Sequence, residues 1–370
     1  MKLKEWIRWF RSLFFRNNSE PCPVFTVLVI GASGVGKSTL LNFIHYMQHC
    51  STFNAAVKTK IDLLLPVEVD ANDKVTYMEK YTNNENVNTV GRSCTQKPMD
   101  HIVDYGRFKI HYVDTPGTND TRGIDQDKLN VNLIVDHLAE LPEVHAVLFV
   151  VKNDESKLGT TFESNLQLLL QMLPRKALKN CCFVYTFSAP MDFKHGRMSH
   201  TLKEFASNFN ECHAIDDLQI TVDNQYFVDN VAFKNLLTLQ NGGQITNLDK
   251  SETVWDISKK NIDRFLRHAC NIDPVFQKDF KIATVMQKLG KVMRNRGFFK
   301  GVELDIEKRR LMASVSDWAV TGEAILCQRL KDGANGLEND EWEQAAAEWK
   351  AKDGEIGKLV EEIAFLMTDN

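Results

Sequence analysis

VLVIGASGVGKSTLL, running from Val27 to Leu41, joins an apolar β-branched run to a helically patterned one through a turn of glycines. Within it, Gly31-Ala32-Ser33-Gly34-Val35-Gly36-Lys37-Ser38 has the spacing G-x-x-x-x-G-K-S. After a strand and at the mouth of a helix, that spacing predicts a P-loop, a backbone cradle for nucleotide phosphates. Gly31, Ser33, Gly34 and Val35 are expected to turn their amides toward phosphate oxygens, and the helix N terminus adds the positive end of its dipole. Gly36 and Thr39 flank the two side chains that matter most: Lys37 to reach the β and γ phosphates, Ser38 to ligate Mg²⁺ through its hydroxyl. A glycine-rich turn with a purely structural purpose needs no lysine and hydroxyl side by side.

Working outward, His111-Tyr112-Val113-Asp114-Thr115-Pro116-Gly117 is an apolar strand that ends in D-x-x-G, with Asp114 lying 77 residues after Lys37. A carboxylate at that strand end can hold the metal through water, and the Gly117 amide can sense a γ-phosphate. Between the two motifs, Gly91-Arg92-Ser93-Cys94-Thr95-Gln96-Lys97-Pro98 offers Thr95 as a switch hydroxyl that closes onto the metal. A polar turn before a strand is the alternative for that stretch.

Short β-branched runs at 24–30, 108–113, 144–151, 180–187 and 220–228 alternate with helically patterned segments such as 37–49 and 162–173. That alternation predicts an α/β fold with a mostly parallel sheet and helices on both faces. The 370 residues are 43% hydrophobic and 25% charged with net charge −4, an ordinary globular composition that predicts no nucleic-acid partner. Eight scattered cysteines show no C-x-x-C pair and no zinc spacing, which reads as a reduced, cytoplasmic chain. No run of 18 apolar residues is present, so no helical membrane span is expected.

Taken together, GASGVGKS, VGRSCTQKP and VDTPGTNDTRGIDQD resemble the septin-related GTPases, including the avirulence-induced and immunity-associated branch and the animal septin-like proteins. The likeness covers roughly residues 24 to 270 and includes HAVLFVVKNDESKL, NCCFVYTFSAP and QYFVDNVAFKNL. It implies a P-loop GTPase fold that binds GTP or GDP with Mg²⁺, hydrolyses GTP slowly and pairs as a homodimer or larger homo-oligomer across the nucleotide. The division that follows is 1–20 as a basic amphipathic helix, 24–274 as the G domain and 275–370 as a helical C-terminal region.

Two departures stand out. The N/T-K-x-D box that reads guanine is replaced by Thr186-Phe187-Ser188-Ala189, leaving no carboxylate before Asp192, so guanine and adenine both remain open as the base. Phe187 is either a stacking surface for the base or a strand-end core residue, and Asn230, beside Asp229, is the candidate base contact. Position 118 is Thr where a Ras-like enzyme has a water-orienting Gln, so turnover should be slow. Thr118, Arg122 and Gln126 are candidates for the catalytic work, with a surface ion pair as the other role for Arg122.

The N terminus, MKLKEWIRWFRSLFFRNN, places Leu3, Trp6, Ile7, Phe10, Leu13 and Phe14 at helical intervals with basic residues opposite. Two readings fit: peripheral contact with an anionic membrane through residues 3–15, or docking of the stripe on the G domain or a second subunit. The C terminus predicts helices over 280–293, 304–330 and 338–367, the last with Trp342, Trp349, Ile356 and Ile363 at seven-residue spacing. These helices either pack on the G domain or protrude as an arm.

Overall fold

The structure, a computed structural model, describes residues 22–50, 52–60, 62–71, 74–78, 97–117, 124–213, 215–295, 350 and 354–368. β1 (Val24–Ile30) leads through the glycine-rich turn into α1 (Lys37–Met47), and α2 (Phe53–Lys58) follows, capped by Thr52, whose hydroxyl accepts from the Ala55 amide. A hairpin of β2 (Val67–Ala71) and β3 (Lys74–Met78) precedes β4 (Met99–Asp104) and β5 (Lys109–Asp114). The middle of the chain runs α3 (Ile124–Leu138), β6 (Glu143–Val144), β7 (Ala146–Lys152), α4 (Thr160–Met172), α5 (Arg175–Lys179) and β8 (Cys181–Thr186). Then come α6 (Arg197–Cys212), β9 (Gln225–Phe227), α7 (Val231–Gln240), α8 (Leu248–Ala269), β10 (Val275–Phe276), α9 (Gln277–Asn295) and α10 (Gly354–Thr368).

Six strands form one sheet in the order β4-β5-β1-β7-β8-β9. Every neighbouring pair is parallel except β4 on β5. β1 therefore sits between β5 and β7, where the direction of winding reverses, and the crevice beyond the strand C-termini at such a point is where α/β sheets bind ligands. This is the expected α/β P-loop GTPase fold.

Alternation along β1 explains the two-sided core. Val27 and Val29 point to one face and pack with α1, α7 and α8; Leu28 and Ile30 point to the other and pack with α3, α4 and α6. On the first face Trp255 of α8 is fully buried, with ring centroids of Phe43 and Phe53 at 4.9 and 5.8 Å.

Two expected elements differ. The strand expected over 220–228 contracts to Gln225–Phe227. Ahead of it the Asn224 side chain accepts from the Thr221 amide at 2.8 Å and donates to Cys181 and Gln219 carbonyls, so a side chain rather than a ladder satisfies that backbone. At the C terminus, α9 covers the expected 280–293 helix and α10 packs against it, burying Ile356, Val360 and Ile363. The helix expected over 338–367 does not run straight into α10: a Cβ on Gly357 would lie 2.5 Å from the Lys350 nitrogen, whereas seven residues of helix rise about 10 Å. Residues 1–20, the helix expected over 304–330, Trp342 and Trp349 lie outside the described residues. Among the described residues, no helix is long and apolar enough to cross a membrane.

One buried histidine makes stability depend on pH. His145 Nδ1 accepts from the Thr26 amide at 3.1 Å, which requires the neutral ring, and burial pulls its pKa from 6.5 down to about 4. Glu143 lies 3.8 Å from the other ring nitrogen, but at that distance it does not offset desolvation. The unfolded chain takes up this proton first, so the contribution is present above pH 6.5 and is lost as pH falls toward 4. Urea midpoints across that window should fall as pH falls, and His145→Gln should flatten the slope.

Candidate functional site

The turn after β1 is built to present amides. Gly34 and Gly36 adopt φ of 77° and 88°, the left-handed region that glycine enters without a Cβ penalty. At Gly31 a Cβ would meet the Val150 carbonyl at 2.4 Å, so the loop starts pressed against β7. Lys37 is 8% exposed, and its Nζ donates to the carbonyls of Gly31 at 2.9 Å and Ala32 at 3.1 Å. Those carbonyls hold the ammonium under the loop. Ser38 and Thr39, in the first turn of α1, are half-buried.

Parallel register delivers the second motif. Val29 pairs with Asp114, so β5 ends level with β1 and sets Asp114, fully buried, beside the loop. The Thr115 hydroxyl donates to the Val29 carbonyl at 2.7 Å and locks the two strand ends together. Gly117 then passes so close to the P-loop that a Cβ there would lie 2.9 Å from both the nitrogen and the Cα of Ser33. A hydroxyl at Ser38 and a carboxylate at Asp114 are hard oxygen donors of the kind Mg²⁺ takes, completing its shell with water and substrate phosphates. The residues present thus fit the metal.

On the far side of the loop, β8 ends in Thr186, whose hydroxyl lies 2.8 Å from the Val35 carbonyl and 3.0 Å from the Val151 carbonyl. Its single proton links the P-loop to β7 and β8. Beyond it the chain turns through a short 3-10 helix, Ala189–Met191. Phe187, Asp192 and Phe193 have φ of 52°, 51° and 55°, a conformation costing non-glycine residues about 1–2 kcal/mol each. Asn153, with no exposure, holds this turn by donating to the Ser188 hydroxyl and the Lys194 carbonyl while accepting from the Gly196 amide. Phe187 is half-buried outside the core clusters, with Lys152 Nζ 5.3 Å from its ring centre, so the strand-end core role does not apply.

The loop after β9 closes the arrangement. Asn230 Nδ2 donates to the Gly36 carbonyl at 3.1 Å, and its buried Oδ1 has no hydrogen-bond partner among the described residues. Asp229, 5% exposed, accepts from the Ala189 amide at 2.8 Å and from the Val231 amide at 2.9 Å. It therefore stands beside Ala189, the position at which the guanine box would carry its carboxylate. Gln126 lies in the first turn of α3. Thr95, Thr118 and Arg122 lie outside the described residues. Sequence reasoning passed over Thr186 and Asn153; the signal for Thr186 was its place as the first residue of the altered box.

Thr186→Val keeps the shape and deletes the proton that serves the Val35 carbonyl. Nucleotide affinity, read by a fluorescent GDP titration, should weaken by about 5–30-fold, the equivalent of 1–2 kcal/mol. Gly117→Ala should place a methyl against the Ser33 backbone and weaken binding of a GTP analogue more than binding of GDP in the same titration.

Residues 26–186 match the family model described as 50S ribosome-binding GTPase. A curated relative, "GTP-binding protein A" of Dictyostelium discoideum, is 25% identical over 162 residues, 44% of this chain. The match spans 28% of that relative's length. Among solved structures, Toc33 from Arabidopsis thaliana in complex with Mg²⁺ and GMPPNP aligns over 74% of this chain and 94% of its own, at 14% identity and TM-score 0.40. A structure described as "Dimerization is important for the GTPase activity of chloroplast translocon components atToc33 and psToc159" aligns over 73% of this chain and 90% of its own, at 16% identity and TM-score 0.42. With the P-loop and D-x-x-G geometry above, the family match shows that the chain contains a P-loop GTPase domain.

Proposed function

We propose that this chain is a guanine-nucleotide switch that holds GTP with Mg²⁺, cleaves it slowly and couples the nucleotide state to self-association. The observation that carries the reading is the convergence of Lys37, Ser38, Asp114 and Gly117 on one loop, brought together by the β1 to β5 register. Mg²⁺ would be held by Ser38 and, through water, by Asp114; when bound it neutralises charge building on the phosphate oxygens. Lys37 would orient the β and γ phosphates, and the Gly117 amide would report whether the γ-phosphate is there. Thr118 in place of a water-orienting Gln supports slow intrinsic turnover, with Thr95 as switch hydroxyl and Arg122 as a source of positive charge in the transition state.

Among such GTPases, VGRSCTQKP and DTRGIDQD support a septin-like, avirulence-induced subtype. Residues 24–274 are then the switching unit, with 1–20 and 275–370 as its extensions.

For the base, Asp229 supports guanine. Its two oxygens each keep a lone pair after the Ala189 and Val231 amides are served, and a carboxylate can accept from both N1–H and the exocyclic amine of guanine. Adenine offers no such donor pair. Asn230 would orient the P-loop side of the same pocket through Gly36 and offer its Oδ1 to the nucleotide.

Asp229→Asn exchanges one acceptor for a donor, which suits the C2 carbonyl of xanthine. The substitution should lower GTP affinity and raise XTP affinity in competition titrations; unchanged preference would remove Asp229 from base reading. Phosphate release followed over hours with Mg²⁺ should show a per-molecule rate that rises with protein concentration. Flat, near-zero release with intact GTP binding would instead favour a scaffold that holds nucleotide structurally.

A further inference from the structure

At the end of the sheet remote from the P-loop, a groove of about 440 Å³ opens between α1, α8 and the β4–β5 turn. Its floor is apolar: Met47 from α1 and Leu266 from α8 are both buried, and Tyr105 and Phe108 form one wall with rings stacked at 4.9 Å. Its rim carries charge of both signs, Asp104 and Asp263 beside Lys259 and Arg267, with Lys259 Nζ 3.3 Å from Asp263 and Lys109 Nζ 3.4 Å from Asp104. We propose that the amphipathic segment Leu3–Phe14 of this same chain docks as a helix in this groove, with its aromatic stripe against the Tyr105, Phe108, Met47 and Leu266 surface.

Position, reach and shape argue for that occupant. The described chain begins at the groove: the Pro23 carbonyl accepts from the Lys109 amide at 2.8 Å, one residue from Phe108, and Phe25 meets the Phe108 ring edge-on at 6.0 Å. Nine residue steps separate Phe14 from Pro23 and can span up to about 30 Å, while a helix over residues 3–14 is about 17 Å long. A tether of that length gives an effective concentration on the order of millimolar, ahead of any partner supplied from solution. Trp6 and Phe10 are four apart and so share one helix face.

The test uses the full chain with Phe10→p-benzoylphenylalanine, irradiated at low micromolar concentration with and without anionic phosphatidylserine vesicles, and adducts mapped by mass. Adducts at Met47, Tyr105, Phe108 or Leu266 in monomeric protein, reduced at least about tenfold by a second substitution Trp6→Glu, are expected. Three outcomes would overturn the proposal: adducts to lipid with none in the groove, groove adducts found only in covalent dimers, or adducts elsewhere on the chain. Because Trp6 and Phe10 lie outside the described domain, an unchanged cooperative unfolding transition separates a lost contact from a lost fold. The inference does not rest on nucleotide binding.

Discussion

Amides can grip phosphate only when something else holds the loop that carries them, and three ties from separate strands do so here. The Thr186 hydroxyl at the end of β8 reaches the Val35 carbonyl, Asn230 after β9 reaches the Gly36 carbonyl, and Gly117 after β5 lies against the Ser33 backbone. Each tie occupies a carbonyl or a space that would otherwise compete with the nucleotide for the inward-facing amides. The positive φ values at Gly34 and Gly36 follow from that inward turn. The sheet order matters for the same reason, because only a central β1 has β5 on one side and β7, then β8, on the other.

The turn after β8 meets a different constraint. Where the usual carboxylate is replaced by Ala189, the Ala189 amide is bound by Asp229 from the neighbouring loop. Charge is thus restored to the area from another element. The three left-handed non-glycine residues between 187 and 193 are an energetic cost that the Asn153 and Ser188 hydrogen bonds offset. A turn held in that state offers a pre-shaped wall, and strain of this kind concentrates where a ligand is clasped.

The fold was legible because its signals are local. The P-loop spacing sits between a strand and a helix, and the alternating β-branched runs mark the strands within a few residues. The site's phosphate half was legible for the same reason: G-x-x-x-x-G-K-S and D-T-P-G each carry their chemistry in a few consecutive residues. The other half of the candidate site was legible only in part: the loop of Asp229 and Asn230 was marked, but Asp229 approaches Ala189 across 40 positions of sequence and the contact exists only once β8 and β9 pair. Likewise the apolar character of 220–224 resembled a strand, while the Asn224 side chain, which no pattern marks, satisfies that backbone instead.

The packing behind the site indicates how a change at the loop could travel. α3 follows directly on the D-T-P-G loop and buries Val131, Ile134, Val135 and Leu138 in the same cluster as Val275 and Phe280, at the start of the C-terminal helices. α9 touches both α3 and α4, and α10 lies on α9. Close-packed interiors resist gradual deformation and shift between discrete arrangements. Leu28, Ile30 and Val113 of the sheet lie in the same cluster, so a displacement of α3 would be felt at Phe280 and at the sheet together. The C-terminal pair is thereby placed where a shift of α3 would reach it by side-chain contact, α9 directly and α10 through α9.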